Sequence, residues 1–135
     1  MVFIHPTPKP ALKIAIAVLD TAFGATADVS ANMPRRVGTT PFVVVERIGG
    51  NRPNLVTDSA RILVHCFATS PLAVESMVAT VDEAFHNSVG TVVQSVFIRG
   101  WDDISGPINK PHPDVLAMER WQVSGYFSLS TTTPS

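Results

Sequence analysis

The sequence predicts a single α/β (α+β) domain, an antiparallel or mixed sheet of four to five strands packed by two helices, in the order α-β-β-β-α-β-β. Three observations carry this. Two stretches repeat apolar residues at helical spacing, 11–23 and 71–85. Several short β-branched or alternating runs lie between and after them, bounded by Gly, Pro, Asn and Ser. The length, 135 residues, fits one domain with a real core, and no internal repeat or composition break divides it.

The segment 1–9 contains Pro6 and Pro8 and is expected to be extended. Pro10 suits the first turn of a helix, because its missing N–H would have no partner there anyway. Leu12, Ala15, Ile16, Leu19 and Phe23 then share one helical face, and Ile14, Ala17 and Val18 widen it, so this helix is buried on more than one side. Gly24 stops it. A short strand is expected within 27–32, where Val29 is the only large apolar residue. The loop 33–40 follows, with the adjacent Arg35 and Arg36.

Phe42 to Ile48 forms a β-branched run ending in Gly49-Gly50, and 58–68 forms a second run stopped by Thr69-Ser70-Pro71. Residues 49–57 hold Pro53, two Asn and two Gly, and are expected to be a turn-rich loop carrying Arg52. Strands joined this way pair most simply as an antiparallel hairpin. On the second strand Ile62, Val64 and Cys66 take one face and Leu63 and Phe67 the other, which suits a strand covered on both sides. His65 reads as a hydrogen-bonded structural residue, and Cys66 as a small packing residue.

Ser70 as N-cap and Pro71 at the first helical position open the second helix. Val74, Met77, Val78, Val81 and Phe85 give its apolar face, and His86 near its C-terminus matches the helix dipole. Thr91 to Arg99 reads as a strand. Gly100-Trp101-Asp102-Asp103 breaks it, and within the loop 101–114 the stretch 106–114, with Pro107, Pro111 and Pro113, reads as a stiff irregular excursion. Met118 to Leu129 resumes as a strand, with Trp121, Val123, Phe127 and Leu129 inward and Arg120, Gln122, Ser124, Tyr126 and Ser128 half-exposed. The Thr/Ser-rich tail 130–135 is expected to fray.

Charged residues make up 16% of the chain, against about 25% in a typical soluble domain. A small protein with so little charge to cover it points to burial in an assembly. The formal net charge of -1 gives no global basic field for nucleic acid. The single cysteine rules out an internal disulfide framework and fits a reducing compartment. The apolar run 11–19 is shorter than the roughly 20 residues a bilayer needs, and no signal peptide is read at the N-terminus, so a soluble protein made in the cytoplasm is expected.

No nucleophile elbow, phosphate loop or zinc-binding helix motif is present, and Gly49-Gly50 precedes no helix. Trp101-Asp102-Asp103 with His112 and Asp114 offers oxygen and nitrogen ligands, but nothing in the spacing makes them converge. No enzymatic activity, catalytic residue, metal or cofactor is therefore expected. The candidate functional residues are partner-interface positions: Arg35, Arg36, Arg52 and Trp101. Arginine and tryptophan are enriched where proteins meet.

Four features taken in order give the chain a resemblance. They are the N-terminal helix before a short strand, P-F-V-V-V-E-R-I-G-G at 41–50, D-S-A-R-I-L-V-H-C-F-A-T-S-P-L-A-V-E at 58–75, and G-P-I-N-K-P-H-P-D at 106–114 before a final R-W strand. In this order they resemble the tail terminator (tail completion) proteins of long-tailed, non-contractile phages, especially those infecting actinobacteria. The likeness covers most of the chain, and no catalytic motif defines the family.

The resemblance implies a small α/β subunit of a homohexameric ring on the head-proximal end of the tail tube. In the family the ring stops tube polymerisation and presents a face to the head completion proteins. It implies tail tube protein and connector proteins as partners, phage DNA passing through without specific binding, no membrane, and a place in the virion after assembly in the host cytoplasm. The alternatives are another head–tail connector protein, such as a head completion or stopper subunit, and a small α/β ligand-binding module or enzyme using the 101–114 loop.

Overall fold

The computed structural model describes residues 10–34, 38–54, 57–109 and 118–130. The expected extended N-terminus, Arg35 and Arg36, the stretch 110–114 with His112 and Asp114, and the tail beyond 130 lie outside them. The element order is α1 (Ala11–Phe23), β1 (Asp28–Ser30), β2 (Phe42–Asn54), β3 (Thr57–Ala68), α2 (Pro71–Ser88), β4 (Val92–Val93), β5 (Val96–Asn109) and β6 (Glu119–Ser130). The strands make one sheet in the order β1-β2-β3-β6-β5-β4, with β1 parallel to β2 and the other pairs antiparallel. The expected α/β class holds, with six strands rather than four or five.

Both helices lie on one face of this sheet. Helix α1 buries Ala11, Ile14, Ala15, Val18, Leu19 and Phe23, while Leu12 and Ile16 pack at the margin of the same core. Helix α2 starts as its sequence dictates: the Ser70 hydroxyl accepts a hydrogen bond from the Ala73 amide at 3.2 Å, with Pro71 just inside. It buries Val74, Met77, Val78, Val81 and Phe85. Facing the helices, β3 contributes Ala60, Ile62, Val64, Cys66 and Ala68, and β6 contributes Val123, Phe127 and Leu129. β3 sits between β2 and β6, and its sequence is apolar on both faces because the helix-side core covers one and the cluster around Phe67 the other. Cys66 is fully buried there, and burial pushes its thiol up to about 12.

On the opposite face Phe42 stacks on Phe67, ring centroids 4.3 Å apart, within a smaller cluster that includes Val44 and Met118. This face of β6 is less open than its alternation predicts: Ser124 is buried and Gln122, Tyr126 and Ser128 are half-buried. Cross-strand pairing accounts for it. The Gln122 amide donates to His65 Nδ1 at 2.9 Å, and Ser59 and Ser128 hydroxyls meet at 3.0 Å. His65 also meets Glu46 at 3.3 Å and is structural, as expected.

Three sequence expectations are corrected. Residues 49–57 are not a loop. β2 runs on to Asn54, because Gly49 and Gly50 adopt φ of 136° and 131° and carry the ladder past a bulge. A Cβ on Gly50 would lie 2.3 Å from the Ser59 carbonyl oxygen, so only glycine lets the two strands stay paired there. Residues 91–99 are not one strand. A tight hairpin forms with Gln94 and Ser95 at its tip, both at positive φ, a conformation normally marked by Asn and Gly. The described part of the loop expected over 101–114, residues 101–109, is neither a break nor an irregular excursion. It is β5, paired with β6 from Ile98 to Asn109 through register shifts that absorb the irregular positions around Pro107.

Gly125 stands on the helix-facing side of β6, where a Cβ would lie 2.6 Å from the Trp101 ring and 2.7 Å from the Asp102 carbonyl oxygen. Gly125→Ala is therefore expected to destabilise the fold by about 1–3 kcal/mol through overpacking, read as a lower denaturation midpoint with unchanged slope. Unchanged stability would mean that the Trp101 ring has room to shift.

Candidate functional site

Trp101, one of the expected interface residues, is not displayed at the surface. It is buried on β5, stacked on Phe85 of α2 at 4.1 Å between centroids and edge-on to Phe127 of β6 at 6.3 Å. Its indole N–H is the exception to the apolar setting and donates to Asp103 Oδ1 at 2.7 Å. Arg52 lies on the distal part of β2, a strand rather than the expected loop. Arg35 and Arg36 fall outside the described residues.

What the fold does bring together is a polar cluster above the buried tryptophan. Asp82 and His86 lie one turn apart on α2, and Asp103 lies on β5 opposite them. His86 Nε2 is 3.2 Å from Asp103 Oδ2 and 3.3 Å from Asp82 Oδ1. The i, i+4 spacing of Asp82 and His86 was visible in the sequence, but the strand bringing Asp103 to them was not.

Electrostatics sort the three groups. The hydrogen bond to Asp103 holds the His86 imidazole above its usual value, against some desolvation and with help from the charge of Asp82. Partial burial works against ionisation of Asp103, but hydrogen bonds from His86 and Trp101 outweigh it and hold its carboxyl below the usual range. Desolvation and the neighbouring Asp103 raise Asp82. The result is an imidazole that holds its proton more tightly than usual, between two carboxyl groups at half-exposed positions.

The same three groups offer one ligand atom each, all within 4.8 Å of one another, enough to hold a metal ion. Here the histidine nitrogen is already committed to the carboxylates, and a cation would have to displace its proton. Beside the cluster a cleft of about 320 Å³ opens between α2 and β6, floored by Val78, Val123 and Trp121 and edged by Asp82, Asp103 and Pro107. The Trp121 indole N–H is buried and has no hydrogen-bond partner among the described residues. Neither a nucleophile–base pair nor an oxyanion cradle accompanies it among those residues.

On the far side of the sheet from β5, Arg47 of β2 meets the buried Asp58 at 3.4 Å. Asp58 Oδ2 has no partner among the described residues. No described helix is long and apolar enough to cross a membrane.

No protein-family model matches the sequence, and no curated protein matches it. Among solved structures the chain is similar to one from the virion of a native gene transfer agent particle. The TM-score is 0.55 over 84% of this chain and 85% of that one, at 12% sequence identity. The shared feature is the fold, and it spans nearly the whole of both chains.

His86 is expected to titrate above its ordinary value of about 6.5. A group whose folded form holds its proton more tightly contributes stability that is fully present below about pH 6.5 and lost as pH rises through the raised value. Ring-proton NMR titration of the wild type and Asp103→Asn checks this. The midpoint should fall toward the ordinary value in the variant, and an ordinary midpoint in the wild type would remove the electrostatic reading of the cluster.

Proposed function

We propose that the chain is a structural, non-enzymatic component of a phage-like virion, and specifically a tail terminator. In this reading six copies close into a ring on the head-proximal end of the tail tube, stop its polymerisation and offer a surface to the head completion proteins. DNA passes through the ring without specific binding. The observation that carries the reading is the fold, shared over 84% of the chain with a component of a virion. The sequence resemblance to tail terminators supports the finer assignment. The low charge, 16% of residues, agrees with a subunit that spends its working life covered by neighbours.

The first test is assembly. The purified protein, imaged by negative stain and sized by light scattering at rising concentration, should give closed rings, alone or on the ends of purified tail tubes. Monomer at every concentration, with bare tube ends, would overturn the ring reading.

A second test concerns the arginines. Arg35, Arg36 and Arg52 are proposed to contact the tube or the head proteins, since the planar guanidinium binds carboxylates bidentately. Losing such a contact to a buried partner costs about 2–5 kcal/mol, and a ring repeats the loss. Arg35→Glu with Arg36→Glu, or Arg52→Glu, should leave circular dichroism unchanged and abolish complementation of a phage lacking the gene. Normal plaque counts from both would show that these arginines are merely solvated.

A further inference from the structure

We propose that Asp82, His86 and Asp103 form a binding site for a divalent transition-metal ion of the zinc class, open on one side to the cleft beside Trp121. The inference is independent of the ring reading, because it concerns donor atoms within one copy.

The donors come from two elements and are of two kinds. Asp82 and His86 stand one turn apart on α2, so both side chains reach the same side of the helix. Asp103 comes from β5 and meets them there. A nitrogen with two carboxylate oxygens suits zinc and its first-row neighbours, whereas magnesium and calcium prefer oxygen alone. Four ligands about 2.0–2.1 Å from a tetrahedral ion stand about 3.3–3.4 Å from one another. His86 Nε2 already lies 3.3 Å from Asp82 Oδ1 and 3.2 Å from Asp103 Oδ2. The three donor atoms lie within 4.8 Å of one another, and Asp82, half exposed, has room to turn and close the set.

What lies outside the three residues supports a site rather than a chance meeting of surface charges. The buried Trp101 indole N–H donates to Asp103 Oδ1 at 2.7 Å, which holds the carboxylate and leaves Oδ2 for His86. Metal-binding carboxylates are steadied in this way by a second hydrogen bond. Asp82 and Asp103 also edge the cleft of about 320 Å³ whose wall includes Trp121, and the Trp121 indole N–H is buried without an acceptor among the described residues. The coordination position that three protein ligands leave open therefore has room for a water or for a donor atom from a partner. Two carboxylates this close repel each other, and a divalent cation offsets both charges where an imidazolium offsets one.

Binding requires only that a proton move. Nε2 gives up its hydrogen: from an imidazolium it goes to solvent, and in the neutral ring a proton on Nδ1 replaces it. The ion then spans α2 and β5, tying by coordination the two elements that Phe85 and Trp101 tie by stacking.

The test uses the full-length protein, stripped with a chelator and then given Zn2+ or Co2+. Calorimetric titration with Zn2+ should show one ion per chain, Co2+ should give the visible absorption of a tetrahedral site, and Zn2+ should raise the thermal midpoint. His86→Ala and Asp103→Ala should each weaken Zn2+ binding at least about tenfold and lose the rise in midpoint. Circular dichroism checks that both variants fold, and the wild type supplies a readout that needs no variant. There Zn2+ should shift the ring-proton NMR signals of His86 and leave those of His65 in place. Zn2+ binding undiminished in both variants, or His86 signals unmoved at saturating Zn2+, would overturn the site. An equal rise in midpoint from Mg2+ would overturn the metal class.

Discussion

The seat of Trp101 is the contact on which the two layers of this protein depend. Its ring fills the space that Gly125 leaves by having no side chain, and its face lies on Phe85, which is completely buried on the inner side of α2. An aromatic stack of this kind adds about 0.5–1.5 kcal/mol beyond the area it buries. The same side chain reaches outward, since its indole N–H fixes Asp103, and Asp103 orients His86. One residue thus ties sheet to helix from below and again, through a carboxylate, from above.

Much of the fold was legible because local signals and tertiary packing agree. Ser70-Pro71 and the apolar spacing of α2 specify its start and its buried face, and both stand as read. β3, apolar on both faces, announces a central strand. The misreadings share one cause. Gly49-Gly50, Pro53 and Pro107 are breakers by local rule, yet long antiparallel partners hold them in the sheet through bulges and register shifts. Gln94-Ser95 fails in the other direction, turning the chain without the residues that advertise a turn.

The candidate site was less legible than the fold, for a physical reason. Trp101 looked like an interface residue because tryptophan is common at interfaces, but its burial depends on a glycine 24 positions later in the chain, at Gly125. Asp82 and His86 could be placed on one helix face from spacing alone. Their partner Asp103 could not, because its strand read as a loop. Charge clusters made across elements become visible only once the sheet order is known.

The sealed position of Cys66 bears on how the protein ages. A thiol reacts as its thiolate, and burial at the centre of β3 keeps this one protonated up to about 12 and out of reach of oxidants. The chain therefore carries no reactive sulfur among its described residues beyond the methionines. While the fold holds, this thiol is shielded from forming stray disulfides between copies, and it becomes open to oxidation only when β3 leaves the sheet.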